Sequence, residues 1–258
     1  SDTCAISIKE RKMHTISYQL YSSRNWDADE TFAMLAEVGY KEVEGVGPHY
    51  EDTAATKARL ERFGMTMPTG HFAPDFIESE PEKVIEIAKA LGITCVIAPF
   101  IPPVERPTTM SGWTAFTERL VKMSEPIVAA GLEFAWHNHD FEFVPVDGQF
   151  PLDLIAAASP DIKFELDLAW VHVAGQDPVE WLQKYKGRIV AAHVKDVAPK
   201  GDCADEGGWA DVGHGVMDWK TIKPAMDAAG VTRYVVEHDN PNDHVRMAAR
   251  SLAGVQAF

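Results

Sequence analysis

No run of about 18 consecutive apolar residues occurs in this 258-residue chain, so no membrane-spanning helix is expected. Cysteine is scarce. Cys4, Cys95 and Cys203 are odd in number and lack metal-type spacing, which argues against a disulfide framework and predicts free thiols, Cys95 in a strand and the others in loops. Positive charge is also short: 24 Lys and Arg residues face 39 Asp and Glu, a formal net charge of −15. No basic stripe suited to a phosphate backbone is visible, so nucleic-acid binding is not expected. A Gly-x-Gly-x-x-Gly after the first strand, the usual sign of a dinucleotide fold, is missing too. The chain opens Ser-Asp-Thr rather than with Met, as it would after loss of a leader or tag. A cytoplasmic location is the default expectation, a periplasmic one if a leader preceded Ser1.

What is present is a regular alternation. Apolar, β-branched runs at 14–20, 41–45, 65–71, 93–100, 132–137, 162–168, 188–194 and 233–237 read as strands. Helical patterns follow at 27–38, 53–63, 81–91, 113–130, 152–158, 178–185, 217–229 and 242–255, many of them entered at proline or an N-cap residue and left at glycine. Eight strand–helix units, with 46% hydrophobic residues, predict an α/β fold of the (β/α)8 barrel type. Residues 1–258 form one domain in this reading, with 1–12 as a polar lead-in.

Chemistry in such a barrel sits at the C-terminal strand ends. The densest cluster is Trp-His-Asn-His-Asp-Phe-Glu-Phe at 136–143, where the fifth strand ends. Imidazoles and carboxylates there need partners, because burying them alone is costly. The other strand ends carry Glu44, His71, Asp167, His193 with Lys195, and Glu237 with His238. Carboxylates with one imidazole on four consecutive strands are what a divalent cation binds.

The order and wording of these motifs resemble the xylose-isomerase-like TIM-barrel superfamily, the sugar phosphate isomerase/epimerase group. The similarity runs through Tyr-Gln-Leu-Tyr-Ser-Ser-Arg at 18–24, Gly-Tyr-Lys-Glu-Val-Glu at 39–44 and His-Asn-His-Asp-Phe-Glu-Phe at 137–143. It continues through Glu-Leu-Asp-Leu-Ala-Trp at 165–170, His-Val-Lys-Asp at 193–196, Val-Gly-His-Gly-Val-Met-Asp-Trp at 212–219 and Val-Glu-His-Asp at 236–239. The resemblance covers about residues 14–257 and implies one divalent metal, Mn2+ or Zn2+ first, with Mg2+ or Co2+ as alternatives. The implied ligands are Glu142, Asp167, His193 and Glu237, with His137 or His139 as the alternative on the fifth strand. One departure stands at His214, where the group usually has a glutamate between two glycines.

The implied activity is a metal-dependent sugar isomerase or epimerase working by enediolate proton transfer. Glu237 serves as ligand and base, His137 and His139 as acid or base, and Lys195 either pins a substrate oxygen or pairs with Asp196 or Glu165. His71 hydrogen-bonds substrate hydroxyls or is structural. Trp136, Trp170 and Phe72 are sugar-stacking walls or core, and Glu44 is a weaker substrate contact. The alternatives are a lyase or hydratase on 3-keto-glycosides or inosose-type substrates, an apurinic-site endonuclease, and a non-catalytic sugar-binding barrel. The endonuclease needs a three-metal ligand set that is incomplete here, since Phe100 and Trp170 stand where histidines are required. A small carbohydrate is the expected partner, neutral because the loops after strands seven and eight are acidic, with homo-oligomerisation left open.

Overall fold

A short apolar strand followed by an amphipathic helix has two faces to cover, and a parallel sheet covers both by closing inside a ring of helices. The computed structural model describes residues 14–258, so the polar lead-in and Cys4 lie outside the described residues. The barrel runs through β1 (Thr15–Gln19), β2 (Glu42–Gly45), β3 (Thr66–His71), β4 (Cys95–Ala98), β5 (Glu133–His137), β6 (Ile162–Asp167) and β7 (Ile189–Val194). A small antiparallel hairpin follows, made of β8 (Asp196–Val197) and β9 (Trp209–Ala210), and β10 (Arg233–Val236) then completes the ring. β1 closes it by pairing in parallel with β10 on one side and β2 on the other.

The helices are α1 (Ala28–Val38), α2 (Thr53–Phe63), α3 (Pro74–Ser79), α4 (Pro81–Leu91), α5 (Met110–Ala129), α6 (Pro151–Ala158), α7 (Leu168–Val173), α8 (Pro178–Lys184), α9 (Trp219–Ala229) and α10 (His244–Gln256). Eight of them match the periodic segments. Carboxylates at Asp27, Asp52 and Asp243 accept the free N–H groups at their starts. Gly64 and Gly92 turn the chain out of α2 and α4 at φ +62° and +77°. Three elements were not expected: α3, α7 and the hairpin. All follow the C-terminal ends of strands, so they build the rim of the mouth. α7 starts at once after β6 because one oxygen of Asp167 accepts the Trp170 N–H and caps it.

Strand alternation sorts the residues of β5. Ala135 points into the barrel, packed with Cys95, Ile97 and Val190, while Trp136 points out and meets Phe116 of α5 edge-on. The next inward residue is His137, so the apolar plug beneath gives way to titratable groups at the mouth. Cys95 and Cys203 are free thiols. No helix among the described residues is long and apolar enough to cross a membrane.

Candidate active site

Two layers of charge lie above the apolar plug. The lower one joins two fully buried carboxylates, Glu44 and Glu165, to imidazoles from three strands. His71 Nε2 lies 2.7 Å from Glu165 Oε1 and 3.1 Å from Glu44 Oε1. His193 Nε2 is shared between the same two oxygens at 2.9 and 2.7 Å. Gln19 and Thr69 donate to the remaining capacity of Glu44. Burial alone would lower the pKa of His71, yet the Glu44 and Glu165 charges raise it to about 10. Glu44 moves the other way. Its burial penalty is outweighed by His71 and His193, which hold it well below the usual carboxylate range.

The upper layer brings together His137, Asp167, His193 and Glu237, whose nearest ligand-type atoms lie within 4.8 Å of one another. Asp167 Oδ2 is 3.9 Å from His137 Nε2 and 3.7 Å from His193 Nδ1, and the latter is 2.9 Å from Glu237 Oε2. Asp167 Oδ2 is buried and accepts no hydrogen bond. Its nearest cationic neighbour is the Lys195 ammonium at 3.3 Å, and it faces an imidazole pair and a second carboxylate, an arrangement a divalent cation would also satisfy. The donor set therefore fits a metal ion.

Lys195 is 1% exposed and sits among carboxylates. Its Nζ is 2.6 Å from Asp239 Oδ1 and 3.3 Å from both Asp167 Oδ2 and Glu237 Oε2, and it packs over the rings of Trp170 and Trp209. Burial would lower its pKa, but Asp167, Asp239 and Glu237 push it upward, so the ammonium is fixed. The salt bridges considered from sequence are not the ones formed. Asp196 instead accepts from the N–H groups of Val197, Gly213 and Met217 and from the Trp219 indole, tying down the loop after β7.

Several expected site residues stand elsewhere. Glu142 lies past β5 in a helical turn (Phe141–Phe143), with Oε2 accepting from the His139 N–H at 2.7 Å and from the Trp136 indole at 3.4 Å. It belongs to neither metal-capable group, and His137 holds the β5 place. Trp136 is fully buried on the outer face, because His137 beside it points inward. Phe72 stacks on Tyr50 at 4.3 Å within the core. Glu44 lies in the lower layer, beneath the cavity rather than on its wall. His214 is exposed and does not line the cavity.

A cavity of about 820 Å3 opens above these layers, lined by His71, His137, His139, Trp170 and Glu237 among others. His139 is pushed down to about 3 by burial and by the Lys195 charge, so its ring is neutral. Three contributors were not picked out from sequence as site residues: Glu165, Asp239 and Arg106. Glu165 and Asp239 each lie two residues from an expected ligand, and Glu165 shares the inward strand face with Asp167. That spacing was the available signal.

Glu142 carries a prediction of its own. Burial raises its pKa from 4.5 to about 8. Between these values the folded chain keeps a proton that the unfolded chain has lost, so stability present below about pH 4.5 declines as pH rises towards 8. Glu142→Gln removes the titration. The variant should gain on the parent by about 2–4 kcal/mol across this window. Urea melts at pH 5 and pH 8.5 check this, and a gap that stays constant with pH would refute it.

The family model described as xylose isomerase-like TIM barrel matches residues 32–255. The chain belongs to this family. Among solved structures, this xylose isomerase-like barrel is similar to a sugar phosphate isomerase/epimerase from Parabacteroides distasonis ATCC 8503, with 23% identity, a TM-score of 0.79, and coverage of 100% of this chain and 98% of that one. It is similar to D-psicose 3-epimerase, solved with D-tagatose, from Clostridium cellulolyticum H10, at 13% identity and TM-score 0.71 over 94% and 97% of the two chains. A third is the IolI protein with a zinc atom bound, at 15% identity and TM-score 0.76 over 94% and 97%. At these identities the likeness shows the fold. No curated protein matches the chain.

Proposed function

We propose that this barrel is a divalent-metal-dependent sugar isomerase or epimerase acting on a neutral sugar or keto-sugar. The observation that carries the reading is the convergence of buried ligand-type atoms from Asp167, His137, His193 and Glu237, all within 4.8 Å of one another. These four residues would hold the ion. The zinc atom in the IolI structure and the epimerase among the structural relatives support the same reading. The ion would supply Lewis-acid polarisation of a carbonyl and its neighbouring hydroxyl, which acidifies the intervening C–H.

This chain's own residues supply the rest. Burial would raise the pKa of Glu237, but Lys195 and His193 lower it well below the usual range, so the carboxylate is ionised, as a proton acceptor must be. It lines the cavity, where an α-hydrogen would be presented. His139 lines it too, and its neutral ring can hydrogen-bond a substrate hydroxyl from another side. Lys195 keeps Glu237 charged rather than reaching substrate, since its three neighbours are carboxylates. His71 lines the cavity from the lower layer, a place suited to a substrate hydroxyl.

The cavity also carries the argument for a neutral substrate. Asp75, Glu105, Asp140, Glu237 and Asp239 line it against Arg106 and Arg119, and Arg119 is already paired with Glu78 and Asp75. A phosphate dianion would meet a net negative field.

Elemental analysis should find one divalent ion per chain, removed by chelation together with activity. Three ions would favour the endonuclease reading, and none the non-catalytic one. A panel of free and phosphorylated sugars in deuterated water, followed by NMR, should show deuterium entering one α-carbon of a free sugar. Loss of water or of an aglycone would make the enzyme a lyase. Preference for a phosphorylated member in kcat/KM would overturn the neutral assignment.

A further inference from the structure

We infer that the cavity contains an outer subsite for an aromatic ring, so that the preferred substrate is an aryl glycoside whose sugar ring carries the carbonyl, rather than a free monosaccharide. The inference rests on the inner site being a sugar site, as proposed above.

Size is the first argument. A volume of about 820 Å3 lies high in the range of roughly 300–1,000 Å3 that encloses drug-sized ligands. A monosaccharide, with about a dozen heavy atoms, leaves most of it unfilled. The chemistry of the remaining wall is the second argument. It is built from the segment after β4, where Pro99, Phe100, Ile101 and Pro102 follow one another, and from Pro74 opposite. Proline offers no N–H, so Pro74, Pro99 and Pro102 give the hydroxyls of a second sugar no backbone donor. An apolar ring loses nothing there.

Third, Phe100 is 36% exposed and Tyr21 is 39% exposed, and both line the cavity. Large half-exposed aromatics converging on one concavity mark a ligand surface. The segment is also held in place before any ligand arrives. Arg106 donates through Nε to the Ile101 carbonyl at 2.9 Å, and its guanidinium lies 4.0 Å from the Phe141 ring centre and 5.1 Å from that of Phe100. Phe100 in turn meets His139 edge-on at 5.3 Å, so the apolar wall begins where the inner site ends. A ring joined through a glycosidic oxygen to a sugar in the inner site would lie along it. Among the described residues the Arg106 terminal amino groups have no hydrogen-bond partner, so they can donate to an oxygen substituent on the ring.

Calorimetry with paired methyl and phenyl β-glycosides of glucose, galactose, mannose and xylose tests this on the metal-loaded full chain. On at least one sugar the phenyl glycoside should bind ten-fold or more tightly than its methyl partner. Phe100→Ala should bring that ratio towards one, while Val104→Ser, on the same segment but 94% exposed and off the cavity wall, should preserve it. No phenyl gain on any sugar overturns the subsite, as does a larger gain from a second glucose in cellobiose. A ratio unchanged in folded Phe100→Ala overturns it too. Repeating the titration on chelated protein separates the two readings. Methyl glycosides that need the metal but gain nothing from a phenyl group leave the inner site standing and remove only the outer one. A phenyl gain alongside metal-independent methyl binding does the reverse.

Discussion

His193→Ala should abolish metal binding and destabilise the fold together. Both ring nitrogens are committed, Nδ1 towards Glu237 and Asp167 and Nε2 between Glu44 and Glu165, and the side chain is fully buried. Alanine leaves the two carboxylates of the lower layer bridged by His71 alone, with His137 Nδ1 3.1 Å from Glu165. Removing one partner from a buried charge network costs about 3–5 kcal/mol. Metal affinity should fall by more than the roughly 10- to 100-fold that outer hydrogen-bonding partners are worth. Asp167→Asn is the companion that spares the fold. Its remaining oxygen can still accept the Trp170 N–H and cap α7, while the atom facing the imidazoles becomes an amide. It should lose the ion, and in the metal-free protein its urea midpoint should fall less than that of His193→Ala. Full metal occupancy in either variant, by elemental analysis after dialysis, would remove both residues from the ligand set.

Glu237→Gln should stop exchange between substrate carbon and solvent. The carboxylate is ionised by Lys195 and His193 and lies on the cavity wall, where the amide can accept a hydrogen bond but cannot take a proton. General-base removal typically costs about 100- to 10,000-fold in rate. Since Glu237 is also a candidate ligand, the assay runs at saturating metal, with bound ion measured in the same sample. Deuterium entry should remain lost even where the ion is restored. Turnover with no solvent hydrogen entering any carbon, in the parent protein, would point to hydride transfer and end the base assignment.

The strand–helix alternation was legible because hydrophobic period and capping chemistry are local, and the barrel follows from their repetition. Asp167, His193 and Glu237 were legible for a related reason. Each sits at or beside the C-terminal end of a strand, and in a barrel of parallel strands all those ends meet at one mouth. The structure brings all three together in one of the two groups that could hold a metal.

Elsewhere the decision is tertiary. Period 2 turns His137 inward and Trp136 outward, but Glu142 lies beyond the strand, in a turn whose direction is set by the indole and N–H it binds. Sequence spacing does not determine such a direction. Nor does it choose among the acids near Lys195, where Asp239 wins because β10 lies beside β7 in the ring while Asp196 is consumed by its own loop. The sequence by itself determined which strand ends carry charge. Only the closed barrel decided which of those charges face one another, because buried pairing is settled by a few ångströms between strands that are distant in the chain.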